Sequence, residues 1–163
     1  MSYIIKLIGS ALLLFAALIG VGEYEKKLKA RLLVCRGFVE LLQHVRRKID
    51  GYLTPPSQLL DGFECAALSD IGYLDRAREI GMCSAYFELE ASLPTDGAVR
   101  SALFGFFSDF GKDYKDGTVK LIDRSLKELS AHADRLRTEN EKSLKLVRTL
   151  AAAGALGAII LLI

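Results

Sequence analysis

An all-α architecture follows from three features of the chain: an antiparallel long-helix hairpin or bundle with short helices between, bracketed by N- and C-terminal transmembrane helices. Two uncharged apolar runs, Leu7–Gly22 and Leu150–Ile163, stand at its ends, and nearly all ionisable residues lie between them. The polar middle carries its apolar residues at spacings of three and four, the helical period. Prolines occur only at 55, 56 and 94, so long stretches run without a helix breaker.

The terminal runs hold 16 and 14 residues. As helix they cover about 24 and 21 Å, against a hydrocarbon core of about 30 Å. Tyr3, Ile4 and Ile5 lengthen the first past Lys6, whose stem can carry its ammonium to the headgroups, and Leu144, Leu146 and Val147 lengthen the second beside Lys145 and Arg148. Lys26, Lys27, Lys29, Arg31 and Arg36 follow the first run, and Arg135, Arg137, Lys142, Lys145 and Arg148 precede the second. Positive residues beside membrane segments stay in the cytoplasm, so three regions are expected: a transmembrane helix over 1–22, a cytoplasmic helical domain over 23–148 and a transmembrane helix over 149–163. The alternative for the first run is a cleaved signal peptide, with Gly20 and Gly22 before Glu23. It would have to draw the basic cluster across the membrane. Ala16 and Gly20, then Ala151, Ala153, Ala155 and Gly157, are small residues of the kind that let membrane helices approach closely.

Past the first run, Leu28, Leu32, Cys35, Val39, Leu42 and Ile49 form one helical stripe, with Gly37 a weak point of about 1 kcal/mol relative to alanine. Thr54, Pro55 and Pro56 end that helix, and a second is expected through Leu59, Leu60 and Phe63. Ile71, Leu74, Ile80, Tyr86, Phe87 and Leu89 suggest one or two short helices over 69–93, with breaks at Gly72 and Gly81. Pro94, Thr95 and Asp96 form a helix entrance, after which Leu103, Phe104, Phe106, Phe107 and Phe110 read as a core face ending at Gly111. Lys112–Gly117 reads as a charged turn. The last helix has a coiled-coil seam: Val119, Ile122, Leu126, Leu129, Ala133, Leu136, Asn140, Ser143 or Leu144, and Val147. Its expected partner is the Leu28–Ile49 stripe of the same chain. The rival is a homo-oligomer paired through this seam, with Asn140 setting the register.

The net charge is only +2, and no basic stripe interleaved with aromatics points to nucleic acid. Charge is unevenly spread. Residues 23–50 hold eight basic and four acidic residues, 112–148 ten and seven, but 51–111 only three against nine. Within that acidic middle, Asp61, Glu64, Asp70, Asp75 and Glu79 are the candidates for contact with a basic partner surface, while Glu88, Glu90 and Asp109 read as solvated acids. Cys35, Cys65 and Cys83 form no CxxC pair and suit a reducing cytosol as small apolar residues. His44 and His132 lack a second ligand at i+3 or i+4, which disfavours a metal site and places both on solvated flanks. No GxxxxGK loop and no nucleophile constellation occurs, so neither cofactor nor catalytic residue is expected.

Three segments carry a resemblance over nearly the whole chain: KLIGSALLLFAALIGVG at the start, IDGYLTPPSQLL over Ile49–Leu60, and FGKDYKDGTVKLIDRSLKEL over Phe110–Leu129 with the closing LKLVRTLAAAGALGAIILLI. In these the chain resembles stage III sporulation protein AB of endospore-forming bacteria. It departs from that pattern at Thr118, where a glutamine is expected, and over 69–93. The resemblance implies a membrane component of the channel-like apparatus between mother cell and forespore, on the mother-cell side. It implies a cytoplasmic domain similar to the platform proteins of type II secretion and type IV pilus systems, which link a cytoplasmic ATPase to the membrane complex and other channel components. A small two-span membrane adaptor or regulator acting through coiled-coil pairing is the alternative.

Overall fold

The computed structural model describes the backbone of residues 2–51, 55, 58–113 and 115–162. Side chains at 1–8, 10–14, 17–18, 51–54, 56–57, 114, 155–156 and 158–163 lie outside the described residues. Among the described residues six α-helices follow in order: α1 Ser2–Gly51, α2 Ala66–Asp70, α3 Tyr73–Ile80, α4 Met82–Leu89, α5 Gly97–Asp109 and α6 Lys115–Leu162. No described residue belongs to a strand. The chain is all-α. Among the described residues no helix is long and apolar enough to cross a membrane. The transmembrane helices expected over 1–22 and 149–163 fall on runs most of whose side chains lie outside that description.

Two compact units are present, Met1–Lys29 with Arg137–Ile163, and Ala30–Leu136. In the first, parts of α1 and α6 run antiparallel. The Asn140 amide donates to the Leu28 carbonyl at 3.0 Å, and Glu25 accepts from Arg148 at 2.9 Å and pairs with Lys29 at 2.8 Å. A Cβ placed at Gly20, Gly154 or Gly157 would meet nothing within 4 Å, so among the described residues these glycines mark no close approach.

In the second unit the rest of α1 again runs antiparallel to α6. Lys115 reaches the Asp50 carbonyl at 3.2 Å, the Arg46 guanidinium grips the Asp123 carboxylate, and the Cys35 thiol points at the Leu129 carbonyl, 3.7 Å away. Helix α1 is also buried on a second face. Val34, Phe38, Leu41 and Val45 recur at the helical period, and all are at most 2% exposed. Phe38 is the hub of an aromatic cluster, with ring centroids 5.0 Å from Tyr73, 6.1 Å from Phe107 and 6.4 Å from Tyr86, while Tyr86 stacks on Phe107 at 4.5 Å. The polar tips are satisfied. Tyr73 Oη donates to the Met82 carbonyl and Tyr86 Oη to the Arg100 carbonyl, each at 3.1 Å.

Some local expectations hold and others are corrected. Residues 59–63 form successive turns rather than a helix, closed by Asp61 N–H to the Gln58 carbonyl and Phe63 N–H to the Leu60 carbonyl. Leu59, Leu60 and Phe63 are buried there all the same, because a compact turn can drop i, i+1 and i+4 side chains onto one surface as a helix does. The region 66–89 contains three short helices, interrupted at Gly72 and Gly81, whose φ values of +73° and +90° few other residues adopt. Asp96 caps α5, its carboxylate accepting from Val99 N–H at 2.8 Å. Phe104 leaves the core face and is 48% exposed. The charged turn over Lys112–Gly117 is shorter than expected. Helix α6 already starts at Lys115, where Asp116 in its first turn suits the N-terminal end of the helix dipole.

Gly37 is not a weak point but a crossing point. An added Cβ would lie 2.9 Å from Leu68 Cγ and 3.1 Å from Cys65 Sγ, because α2 and the residue before it pack directly on the α1 backbone. Gly37→Ala is therefore expected to lower stability by about 1 kcal/mol, overpacking outweighing the gain in helix propensity. Phe38→Ala should cost about 3–5 kcal/mol, and Phe104→Ala about 1 kcal/mol at most. Denaturant unfolding of the purified chain checks the order; equal losses at Phe38 and Phe104 would contradict the packing described.

Candidate functional site

Helix α3 buries Tyr73, Leu74 and Ala77 and thereby turns Asp75, Arg78 and Glu79 outward. Arg76 lies between this helix and α4. Its guanidinium makes a fork with the Glu88 carboxylate, Nε to Oε1 at 3.0 Å and Nη2 to Oε2 at 2.8 Å, and its Nη1 reaches Glu79 at 2.8 Å. Both carboxylates raise the Arg76 pKa, Glu88 the more. Arg78 pairs with Asp75 at 3.6 Å and donates to the Phe63 carbonyl at 3.1 Å. The third cation of this region, Arg100, has a buried Nε without a partner among the described residues.

The five acids expected to meet a partner are all exposed, but they divide. Asp75 and Glu79 are matched by arginines of their own helix. Asp61, Glu64 and Asp70 have no cation beside them among the described residues, and neither does Glu90. Glu88, read as a solvated acid, belongs to the Arg76 fork instead. The missing signal is distance along the chain, since Arg76 and Glu88 lie 12 positions apart on different helices.

Asp61 and Glu79 both line a cleft of about 760 Å³, with Arg78, Leu60, Met82 and Phe110 also in its lining. Glu64, Asp70 and Asp75 are not part of that lining. On α4 and α5, Phe87 and Phe104 meet edge to face at 5.6 Å while remaining about half exposed, 43% and 48%. Phe87 was expected among helix-lining apolar residues and Phe104 in the core. A single apolar position on a short helix does not reveal which side of the stripe it occupies.

The seam on α6 is also redrawn. In the second unit Thr118, Ile122, Ser125, Leu129, Ala133 and Leu136 are buried, while Val119 and Leu126 are only half-buried. The buried set runs at spacings of four, three, four, four and three, with small polar residues at two positions, one residue ahead of the expected apolar ones. Thr118 is accommodated because its hydroxyl donates to the Asp113 carbonyl at 3.2 Å. In the first unit Asn140 is buried and bonded to Leu28 of the same chain, so its amide is engaged within the monomer.

The titratable groups beneath this surface are held in their neutral forms. Burial pushes the Cys35 thiol up to about 11 and raises the Cys83 thiol. Burial likewise raises Tyr73 and Tyr86 above the ordinary phenol range. The three cysteines are free, Cys35 buried and Cys65 and Cys83 half-buried. Among the described residues no three His, Cys, Asp or Glu side chains gather as metal ligands. His132 is half-buried on α6. His44 is corrected from a solvated flank to a half-buried ring 5.2 Å from Phe63. Comparison with family models, with curated proteins and with solved structures finds no match for this chain.

Burial, then the charges of Lys48 and Arg47, lower the His44 pKa below 6.5, against a weaker opposing pull from the nearby Asp61 and Leu59 backbone. As pH falls, the unfolded chain therefore takes up this proton before the folded one. Stability from His44 is complete above the unfolded pKa and is lost as pH drops through it toward the folded value. Thermal unfolding between about pH 7.5 and 5.5 (about one unit either side of the ordinary histidine pKa) should show a falling midpoint that His44→Asn flattens; an unchanged pH slope in the variant would remove His44 from this account.

Proposed function

We propose that this chain is a non-enzymatic, two-span membrane platform protein of the sporulation apparatus between mother cell and forespore, with its helical domain in the cytoplasm linking an ATPase to the membrane complex. The observation that carries the reading is the sign of the charge left over on residues 51–111. All three basic residues there are committed or partly enclosed, while Asp61, Glu64, Asp70 and Glu90 face solvent or its edge without a cation among the described residues. Such a surface attracts a basic partner and speeds its encounter.

Anchoring is supported by the other unit. Phe15, Ile19, Leu146 and Leu150 are large apolar side chains left exposed, and they belong to or adjoin the two uncharged runs. The basic residues flanking those runs favour a cytoplasmic middle. The resemblance of the opening, turn and closing segments to stage III sporulation protein AB supplies the cellular setting. The adaptor reading needs a free coiled-coil seam, and the buried residues of α6 are already packed inside their own chain.

Reversal of three acids, Asp61→Lys with Glu64→Lys and Asp70→Lys, should lower co-purification of the ATPase from sporulating cells about tenfold or more, without changing the unfolding midpoint. Reversal of Asp75 and Glu79 should do less, because each already has an arginine. Unchanged recovery of the ATPase with the triple variant would refute docking on this surface. A reporter enzyme fused after Ile163 and found active in the cytosol would refute the two-span topology.

A further inference from the structure

In the unit formed by Met1–Lys29 and Arg137–Ile163, the charged segments 23–29 and 137–148 hold seven cations and four acids. The acids are occupied. Glu23 takes Lys26 at 2.8 Å, Glu25 takes Lys29 and Arg148, and Glu141 takes Arg137 at 3.4 Å, while Glu139 is also engaged. Three exposed cations make no ion pair or hydrogen bond with an acid among the described residues: Lys142, Lys145 and Lys27, whose charge acts on Glu23 only weakly and through space. They are set apart from the others by pairing, not by sequence.

Their neighbours on the helix surface are apolar and exposed. On α6, Lys142, Leu146 and Leu150 stand at i, i+4 and i+8 and therefore share a face, with Leu146 64% and Leu150 69% exposed. The rise from the lysine to the second leucine is about 12 Å, the distance from a phosphate group into the acyl region. On α1, Lys27 stands one turn from the exposed Tyr24, a ring suited to the same boundary. A cation above and leucines below on one helical face match an amphiphile with an anionic head.

We propose that Lys27, Lys142 and Lys145 form a binding collar for the headgroups of anionic phospholipids, with Tyr24, Leu146 and Leu150 against the upper acyl chains. The proposal rests on the membrane reading above and adds a lipid preference to it. Lys26, Lys29, Arg137 and Arg148 take no part, since each already holds a carboxylate. The collar orients the chain toward anionic leaflets, and its contacts are screened by salt.

The test is native mass spectrometry of the full chain from non-ionic detergent micelles doped with equal amounts of phosphatidylglycerol and phosphatidylcholine. The unaltered chain should retain phosphatidylglycerol preferentially, and added salt should erode the preference. Lys142→Gln should reduce the ratio roughly fivefold, and Lys27→Gln with Lys142→Gln and Lys145→Gln more than about tenfold. Lys26→Gln should change it less than about twofold, because that ammonium is neutralised by Glu23. Equal retention of the two lipids by the unaltered chain overturns the proposal without any variant having to fold. So does a loss from Lys26→Gln as large as that from Lys142→Gln. Failure of the membrane reading is seen separately, as a chain that stays in detergent-free buffer and does not float with phosphatidylcholine vesicles.

Discussion

Between residues 34 and 45, helix α1 has to satisfy two neighbours at once, and the rest of the Ala30–Leu136 unit is arranged around that demand. On one side Cys35 faces the Leu129 carbonyl of α6. On the other, Phe38 projects into Tyr73, Tyr86 and Phe107, each from a different short helix. A residue touching three helices fixes their mutual positions more effectively than pairwise contacts can, because edge-to-face rings lose energy when any one of them rotates. Gly37 serves the same end. By carrying no side chain it lets Leu68 reach the α1 backbone, and that close approach places α2 and so the chain entering α3.

Charge is distributed by the same economy. In residues 51–111 Arg76 and Arg78 are engaged in forks and carbonyl contacts and the Arg100 Nε is buried, so acids remain outside; in the Met1–Lys29 and Arg137–Ile163 unit the acids are engaged, so lysines remain. Neither remainder follows from net charge, which is +2 for the chain. The remainder matters because an exposed carboxylate already paired with an arginine presents little field to a partner, whereas an unpaired one presents its whole charge.

How far the sequence announces this depends on whether a feature is local. The uninterrupted α1, the helix entrance at Pro94–Asp96 and the glycine breaks at 72 and 81 are written in single residues with fixed backbone preferences, and each is found where those residues stand. The second buried stripe of α1 is not so visible. Val34, Phe38, Leu41 and Val45 interleave with Cys35 and Leu42, and a helix buried on two sides has no one-sided period to detect. Leu59, Leu60 and Phe63 misled for the opposite reason, since their helical spacing was real but served a turn. Of the five candidate acids, exposure was legible in their type, and the two that are neutralised stand at i, i+3 from Arg76 and Arg78 on α3; what the spacing does not contain is the fork from Arg76 to Glu88, twelve positions away on another helix.

Asn140 shows how a polar residue in an apolar seam can be specific without a second chain. Placed among leucines, its amide has to find an acceptor or lose the hydrogen bonds it made in water, a penalty of about 1–3 kcal/mol. The Leu28 carbonyl meets that need at 3.0 Å. Sliding α6 along α1 by one turn would leave the amide facing a different backbone group and the Glu25–Arg148 pair broken, so the two contacts together select one antiparallel register. A symmetric dimer through the same seam would have to give up both contacts before gaining any. The register that Asn140 specifies is therefore one between two segments of a single chain, and the surface left for partners is what that pairing does not cover.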